Sequence, residues 1–470
     1  MSLGPKGTPR HNTNPGPIWS SWGKDAATLV DALGAVWDDH QRPSQHPVVE
    51  ATRLVLLDTA ATIINGLAEA KIQAYAQNNA FLDQGYLHFP GVKQALSMHG
   101  LISVLSAAAP WNELVEGHAT SHGRPALHVV PLCISLGLSR SASLHQILQA
   151  VMEGYEIGTR FGEAYTVPRG EHVDGTWGTV AATVSACRLL GTSHGQTLRA
   201  INAALCQMSR SLFAPVESGA ESRLLASGLS ANNGLQLAIG AKAGLHGPAE
   251  LSQPAGDHQQ RWPIAPDFKI RATFAIENGY IKLYPGARHL HYCMEAALRW
   301  RRSQGLDPDK HLCEKNLPRT ITITTYPEAA KYCNKPQPKN RIQAQFSLQY
   351  ATCICLLTGR TDPSIFNQAE LTQPDISLLL SRTILQTDDH QNGRWASLHI
   401  TDDQGKVHHS ESSTLKGDPG NPLTQADRIK KARQLMKGHL GTDTTERLIK
   451  HWLEGNVHQK LIPDDITTNN

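Results

Sequence analysis

Residues 47–66 of the 470-residue chain read PVVEATRLVLLDTAATIING, a stretch with the composition and the boundaries of one long helix. Proline suits the first turn of a helix, where its missing N–H has no partner to lose, so Pro47 opens the element. Glycine favours the position just past a helix end, so Gly66 closes it. The stretch therefore predicts a long helix and favours a largely helical fold around it.

Further helical patterns flank this stretch and continue to about residue 250. Residues 25–36 place Leu29, Leu33 and Val36 on one helical face, at positions i, i+4 and i+7. Residues 91–109 predict another helix, which Pro110 stops. The stretches 176–191 and 228–245 are rich in Ala, Gly and Ser, so these helices can approach one another closely. This half of the chain is predicted to be all-α.

The pattern changes after about residue 265, where signals for strands appear. Residues 320–326 (TITITTY) alternate strictly, as a half-buried strand does. Residues 395–409 predict a strand, a turn at Asp403-Gln-Gly405 and a second strand. Helices are predicted between these elements, at about 287–303 and 342–359, and again at the end, at about 423–455. The region from 266 to 419 is therefore predicted to be a compact α+β unit.

The predicted fold class is mainly α with an α+β second domain, a large all-helical domain carrying a smaller α/β lid domain. Residues 1–18, which are rich in Gly, Pro, Asn and Thr, are predicted to be a disordered leader. The helical domain is predicted to comprise residues 19–265 and 420–460, and the lid residues 266–419.

Composition excludes several classes of function. The chain carries 44 basic and 41 acidic residues, a net charge of +3, and has no basic run, so no nucleic-acid partner is expected. No secretory signal and no membrane-length apolar run stands out.

The eight cysteines form no CxxC pair, and several lie in apolar stretches, which favours reduced core cysteines in a cytoplasmic protein. The 23 histidines favour acid–base chemistry, although a compositional bias explains them equally well.

The familiar signatures of cofactor and nucleophile sites are missing. The sequence has no GxGxxG after a strand and no GxxxxGK[ST], so neither a dinucleotide nor a P-loop phosphate site is supported. It also lacks GxSxG, which disfavours a hydrolase with a nucleophile elbow.

Five segments carry a resemblance to a known family. They are EGHATSHGRPALHVVP (116–131), GEHVDGTWGTVAAT (170–183), GAESRLLASGLSANNG (219–234), YIKLYPGARHLH (280–291) and QFSLQYA (345–351). In this order they resemble the MmgE/PrpD family of dehydratases, decarboxylases and epimerases, from about residue 48 to about residue 455. The resemblance implies a large helical domain, a smaller lid domain, a homodimer and no cofactor. It also implies a small carboxylate as substrate.

The resemblance and the residue chemistry together predict the site. His172 lies before a helix start, where a depressed pKa suits a neutral base or a hydrogen-bonding electrophile. Lys282 can hold a carboxylate or transfer a proton, and Arg223 can bind a carboxylate through two hydrogen bonds. Tyr350 can donate to an enolate oxygen. The predicted catalytic residues are His128, His172, Lys282 and Tyr350, and the predicted substrate-binding residues are Ser121, Arg124, Arg223 and His291.

One departure from the family concerns the first segment. Relatives carry His-Ala-x-Asp-x-Asp-Asp there, whereas this chain has His118-Ala-Thr-Ser-His-Gly-Arg124, so the acidic cluster is absent and Arg124 adds a positive charge. A leaving hydroxide needs an acid, so the loss weakens the case for dehydration of the usual tricarboxylates. The site is expected to be more basic than in relatives, and a changed substrate or reaction, in secondary metabolism, is expected.

The predicted function is a cofactor-independent lyase or isomerase that removes a proton next to a carboxyl or carbonyl group, with dehydration, decarboxylation or epimerisation as the outcome. A non-catalytic binding protein derived from the family is an alternative. A second alternative is a zinc enzyme, since His118, His122 and His128 have the spacing of HExxHxxGxxH proteases. Ala119 stands where that motif has its general-base glutamate, so no metal is expected.

Overall fold

The computed structural model describes residues 47–164, 167–168, 170–248, 273–307, 310–389, 393–463 and 466. The predicted leader 1–18 and the predicted helix 25–36 lie outside these residues. The first half of the described chain contains α1 (Pro47–Leu67), α2 (Ala70–Leu82), β1 (Gln84–Leu87), α3 (Met98–Ala108), α4 (Pro125–Ser139), α5 (Leu144–Ala164), α6 (Gly178–Leu190), α7 (His194–Cys206), α8 (Ala214–Ser218) and α9 (Ala226–Lys242).

The second half mixes helices with a sheet and ends in two helices. Its elements are α10 (Leu290–Ser303), β2 (Thr320–Thr325), α11 (Pro327–Cys333), α12 (Arg341–Ala344), α13 (Leu348–Thr358), α14 (Gln368–Leu371), α15 (Pro374–Ser381), β3 (Thr383–Thr387), β4 (Ala396–Thr401), β5 (Val407–Ser412), α16 (Gln425–Leu440) and α17 (Thr442–Glu454). The predicted fold class, mainly helical with a smaller α/β part, is confirmed.

The long helix of residues 47–66 forms as predicted, and most of its residues are buried on every side. Two predicted helices were too long. The helix predicted from residue 91 begins at Met98, because the Ser97 side chain accepts a hydrogen bond from Gly100 N and caps the first turn. The helix predicted over 342–359 is broken, because Ser347 takes an extended conformation and caps α13 by accepting from Tyr350 N. Capping thus sets both boundaries.

The sheet has the strand order β3-β2-β4-β5. The predicted strand 320–326 is its central β2, and the predicted hairpin is the antiparallel pair β4 and β5, with Ala396 opposite Ser412. Strand β3 was not predicted and pairs with β2 in parallel. The short β1 was also missed, and it pairs through isolated bridges to Leu96 inside the half predicted to be all-α.

The helical part and the α/β part of the molecule each have their own main hydrophobic core. The larger joins residues between Val48 and Ile276 to residues between Ala432 and Ile466, so the C-terminal helices pack on the helical part. The second core surrounds the sheet and runs from Ala287 to Leu415, with Val216 added. The boundaries predicted at 265 and 420 stay a prediction.

Two expectations from composition concern membrane-spanning helices and the cysteines. No helix in the described part of the chain is long and apolar enough to cross a bilayer. All eight cysteines are free; six are buried, and Cys206 and Cys313 are exposed.

Candidate functional site

A cavity of about 560 Å³ lies where the helical part meets the α/β part. This volume falls within the range of roughly 300–1,000 Å³ that is usual for small-molecule sites. Both parts supply walls, and charged and aromatic side chains dominate. Among the described residues, the lining consists of Glu113, His118, His122, Gly123, Arg124, Glu163, Val167, Glu171, His172, Val173, Asp174, Phe213, Arg223, Tyr280, Lys282, Ala287, Arg288, His289, Glu328, Lys331, Tyr332, Phe346 and Arg394.

Five buried charged residues form the floor of the cavity, and we call them the inner charge cluster: Glu113, Arg124, Asp174, Arg223 and Lys282. Arg124 donates to Glu113 at 2.8 Å and also to the Asp174 carboxylate. Burial alone would raise the pKa of both carboxyl groups, but the neighbouring cations hold the pKa of Glu113 and that of Asp174 well below their ordinary values. Both carboxylates are therefore charged at neutral pH.

Glu113 is the centre of this cluster because it contacts all three cations. Its carboxylate accepts from Arg124, from Arg223 and, at 3.2 Å, from Lys282. Its backbone has φ of 53°, a left-handed conformation that residues other than glycine rarely adopt. Such a conformation persists when the surroundings fix it, and such residues cluster at functional sites.

Lys282 lies in a loop that three backbone hydrogen bonds connect to other segments. Tyr280 exchanges hydrogen bonds with Gly117, and Ile281 N donates to Gly417 O. The Lys282 ammonium then donates to Glu113 O, Glu113 Oε2 and Gly286 O, at 2.9, 3.2 and 3.3 Å. Burial lowers the pKa of Lys282 to about 8, against the opposing effect of Glu113. The side chain is therefore mainly protonated at pH 7 and can release a proton at low cost.

Arg223 stands on a short 3₁₀ helix, Glu221–Leu225, that leads into α9. One guanidinium nitrogen, Nη2, donates to Glu113 Oε1. The other two, Nε and Nη1, are buried and have no hydrogen-bond partner among the residues that the structure describes. The guanidinium also lies over the Phe346 ring, 5.3 Å from its centroid. Unpaired buried donors on a cation are costly, so this side chain is suited to receive an anion.

His172 lies in the loop before α6, held by a bond from its own N–H to Ser211 O. Its Nδ1 accepts from the Asp174 backbone N–H at 3.1 Å, and its ring stacks on Phe213 at 5.6 Å. This contact assigns the ring hydrogen to Nε2. Burial lowers the pKa of His172, so the imidazole is neutral at pH 7. Of the two roles open to this histidine, a neutral hydrogen-bond donor fits the contact better than a base.

Two residues predicted from the first segment lie behind the cavity wall. The structure does not bring His128 to the lining. His128 is 1% exposed, its Nδ1 contacts Ser230 Oγ at 3.0 Å, and burial lowers its pKa to about 4. Ser121 is 1% exposed and bonds to the His118 carbonyl. Both side chains pack inside the helical part, so neither is placed to contact a substrate.

Two residues predicted from the lid are also absent from the described lining. Tyr350 is fully buried within α13, and its hydroxyl donates to the Ile365 carbonyl, so it supports the core of the α/β part. His291 is fully buried and contacts Arg288 at 3.0 Å and Gly286 O at 3.3 Å. His291 can support Arg288, which does line the cavity. Arg124, His172, Arg223 and Lys282 are thus the predicted residues that the structure brings together.

The structure adds site residues that the sequence analysis missed. Glu113 and Asp174 restore carboxylates to a site that was expected to lack them, and Asp174 lies only two residues after His172. His289 lines the cavity beside the predicted His291; its Nδ1 contacts Tyr326 at 2.6 Å, and burial lowers its pKa to about 3. Phe213 and Tyr332 complete an aromatic wall. No sequence motif marked these two rings.

The geometry does not support the zinc alternative. The proposed pair needs one helical face, but His118 and His122 lie in a turn that the bond from His118 N to Gly123 O closes at 2.8 Å. His128 lies on α4, and its Nδ1 contacts Ser230. The described residues hold no group of three His, Cys, Asp or Glu side chains arranged to bind a metal.

Comparison with known proteins identifies the family to which the chain belongs. The MmgE/PrpD N-terminal domain matches residues 32–260 and the MmgE/PrpD C-terminal domain matches residues 284–454. Cis-aconitate decarboxylase of Homo sapiens is 25% identical over 359 residues, which cover 71% of each chain. Cis-aconitate decarboxylase of Mus musculus is 24% identical over 349 residues, 71% of this chain and 70% of that protein. With both domains matched in order, this chain belongs to the MmgE/PrpD family.

Proposed function

We propose that the protein is a lyase that removes CO₂ from a small unsaturated carboxylate. The observation that carries the proposal is Arg223, a cavity-lining guanidinium with two buried nitrogens, Nε and Nη1, that have no acceptor among the described residues. Family membership and the two cis-aconitate decarboxylase relatives support the same class of reaction.

Arg223 anchors a carboxylate that stays on the product. A substrate carboxylate can accept from Nε or from Nη1, which lie on different edges of the guanidinium, and the contact from Nη2 to Glu113 fixes the orientation of the group. Phe346 covers one face of the guanidinium and limits its hydration. The anchored group then holds the neighbouring carbons near His172 and Lys282.

His172 stabilises the charge that develops during the reaction. When the C–CO₂ bond breaks, its electron pair stays on carbon and spreads into the rest of the unsaturated acid, which places negative charge on oxygen. A neutral imidazole with hydrogen on Nε2 can donate to that oxygen without first losing a proton. The Asp174 N–H contact keeps the ring in this form.

Lys282 completes the reaction by protonating carbon. Its ammonium group gives one proton to the carbanion, becomes an amine and regains a proton from water. The balance is one carboxylate and one proton converted to CO₂ and a C–H bond. A pKa of about 8 lies close to the working pH, which suits a group that must give and regain a proton in each turnover.

The inner charge cluster favours loss of CO₂ over loss of water or epimerisation. The latter two reactions begin with removal of a proton, which needs a base. Glu113 and Asp174 are already paired with cations, and His172 presents an N–H. These residues therefore offer the substrate hydrogen-bond donors rather than a base. Decarboxylation requires only the donors.

The test is CO₂ release from a panel of unsaturated di- and tricarboxylates, followed by NMR of the products. We expect release from at least one acid, and a loss of about 100-fold or more in Lys282→Met, in the range typical of a proton donor. Arg433→Met is the control, because Arg433 is an exposed arginine paired with Glu446 on the surface. Release from no acid, or equal loss in the control, would contradict the proposal.

Three further features are proposals that follow from the family. They are a homodimer, a cytoplasmic location and activity without a cofactor. Light scattering checks the first, and full activity after dialysis against a chelator is the expected result for the third.

A further inference from the structure

We propose that Arg124 is a positioning residue for the decarboxylation, which binds Asp174 and thereby keeps His172 a hydrogen-bond donor. This role rests on the proposed function, in which His172 donates from Nε2 to the developing negative charge. It adds a residue that decides between loss of CO₂ and reactions that need a base. The hydrogen bonds of Arg124 and the two groups of Asp174 next to the His172 ring carry the inference.

All three guanidinium nitrogens of Arg124 already donate to carboxylates of the protein. Nη1 donates to Glu113 Oε2 at 2.8 Å, Nε donates to Asp174 Oδ1 at 3.4 Å, and Nη2 donates to Asp174 Oδ2. By contrast, Arg223 and Arg288 each have at least one buried nitrogen without an acceptor among the described residues. Those two arginines are suited to receive a substrate carboxylate. Arg124, which was predicted to bind substrate, is instead placed to hold the carboxylates of the site.

Asp174 offers the His172 ring two competing partners. Its backbone N–H donates to Nδ1 at 3.1 Å, which requires an Nδ1 without hydrogen. Its carboxylate oxygen Oδ2 lies 3.6 Å from the same Nδ1, so a small rotation would make it an acceptor for an N–H there. A hydrogen bond to a charged group is roughly twice as strong as one between neutral groups. An unpaired Asp174 carboxylate would therefore draw the ring hydrogen to Nδ1 and leave Nε2 as an acceptor.

Arg124 prevents this exchange because it occupies the carboxylate. Its Nη2 donates to Oδ2, the oxygen that lies 3.6 Å from the His172 ring. The charged and titratable groups within electrostatic range of the ring include Asp174, Arg223, Arg124, Glu113 and His128. Burial lowers the pKa of His172, and the charge of Arg124 lowers it further, against that of Asp174. The ring thus stays neutral, with its hydrogen on Nε2.

The position of this hydrogen selects the reaction. With hydrogen on Nε2, the His172 ring stabilises the negative charge that remains when CO₂ departs. With a lone pair on Nε2, the same ring would be a base, as removal of a proton requires. Arg124 therefore acts on the reaction through Asp174 and His172, without a contact of its own to the reacting atoms.

The test reads the position of the ring hydrogen by ¹⁵N NMR of protein labelled at histidine. The chain has 23 histidines, so the signals of His172 are assigned by their loss in His172→Gln. At pH 8 we expect the hydrogen on Nε2 in the wild type and on Nδ1 in Arg124→Met. Hydrogen on Nδ1 in the wild type, or on Nε2 in Arg124→Met, would overturn the inference.

The rate of CO₂ release at the same pH provides a second readout. Loss of one donor to a developing oxyanion costs about 100-fold or more, so kcat of Arg124→Met should fall by about 100-fold. KM should stay within about threefold, since Arg223 keeps its contact with Glu113. Lys282 does not account for such a fall, because burial and the charges of Arg124 and Arg288 lower its pKa against the effect of Glu113. Without Arg124, the Lys282 side chain is more fully protonated. An unchanged kcat would contradict the proposed role of Arg124.

A double variant separates this role from a purely structural one. Asp174→Ala removes the carboxylate that competes for Nδ1 and keeps the backbone N–H. Arg124→Met combined with Asp174→Ala should therefore return the hydrogen to Nε2 and recover about tenfold of the lost rate. Arg433→Met, on the surface, is the control and should match the wild type in both readouts. A double variant as slow as Arg124→Met, with the hydrogen still on Nδ1, would overturn the inference.

Two further outcomes are decided by the same measurements. If Arg124→Met does not fold, Arg124→Gln carries the same expectation, because it removes the charge and keeps a hydrogen-bond donor toward Glu113. Absence of CO₂ release in the wild type would contradict the proposed function, whereas the NMR spectra need no substrate and would still decide the role of Arg124.

Discussion

Replacement of Arg223 by methionine should remove carboxylate binding and leave the fold intact. Glu113 would keep its contacts with Arg124 and Lys282, so the inner charge cluster would lose one of three cations and no carboxylate would become unpaired. Methionine also fills much of the same volume beside Phe346. The variant should therefore unfold cooperatively, a few degrees below the wild type.

The expected loss of affinity follows from one donor of Arg223, either Nε or Nη1, neither of which has an acceptor among the described residues. Hydrogen bonds to charged groups contribute about 1.5–3 kcal/mol each. A loss of about 3 kcal/mol, the upper end of this range, corresponds to about a 150-fold rise in the dissociation constant. Lysine at this position keeps the charge but loses the planar, fixed donors of the guanidinium, so Arg223→Lys should cost about 1.4 kcal/mol, or about tenfold.

Titration calorimetry with a carboxylate that the wild type binds provides the assay, and Arg433→Met, on the surface, provides the control. The order of affinity should be wild type equal to Arg433→Met, then Arg223→Lys, then Arg223→Met. Retention of wild-type affinity in Arg223→Met would refute the assignment of the anion site to this residue.

Three further predictions follow. The rate of CO₂ release should fall as the pH rises through about 8, because the reaction needs the ammonium form of Lys282, whose pKa burial lowers to about 8; a rate that increases over this range in a pH–rate profile would assign Lys282 the opposite role. Tyr350→Phe should leave turnover within about twofold and lower the free energy of unfolding by about 1 kcal/mol, since it deletes only the bond to the Ile365 carbonyl; denaturant titration and a kinetic assay check both parts. Burial raises the pKa of Glu116 to about 7, so the folded state favours the protonated form, and this contribution to stability is lost as the pH rises from about 4.5 through 7. Glu116→Gln should therefore melt at a higher temperature than the wild type at pH 8 but not at pH 5.

Local signals in the sequence predicted much of the fold. The helix of residues 47–66 is marked by residues that favour its two ends. The hairpin around Asp402–Gly405 is marked by residues that favour its turn. Strand β3 was missed because its parallel pairing with β2 joins residues about sixty positions apart. Such pairing depends on the whole sheet and leaves little trace in a five-residue segment.

The site was predicted less completely, for related reasons. Motifs identified the segments of Arg124, His172, Arg223 and Lys282, but a motif does not say which way a side chain points. His128 and Tyr350 are buried within helices, which no pattern in their segments revealed. Glu113 was missed because its role depends on three cations from distant segments and on a rare backbone conformation.

The most direct test of the account is the product formed in D₂O. If Lys282 protonates the carbon that loses CO₂, NMR should show one deuterium at that carbon, and Lys282→Met should slow its appearance by about 100-fold or more while carboxylate binding at Arg223 persists. CO₂ loss and deuteration at the wild-type rate in Lys282→Met would contradict the central claim.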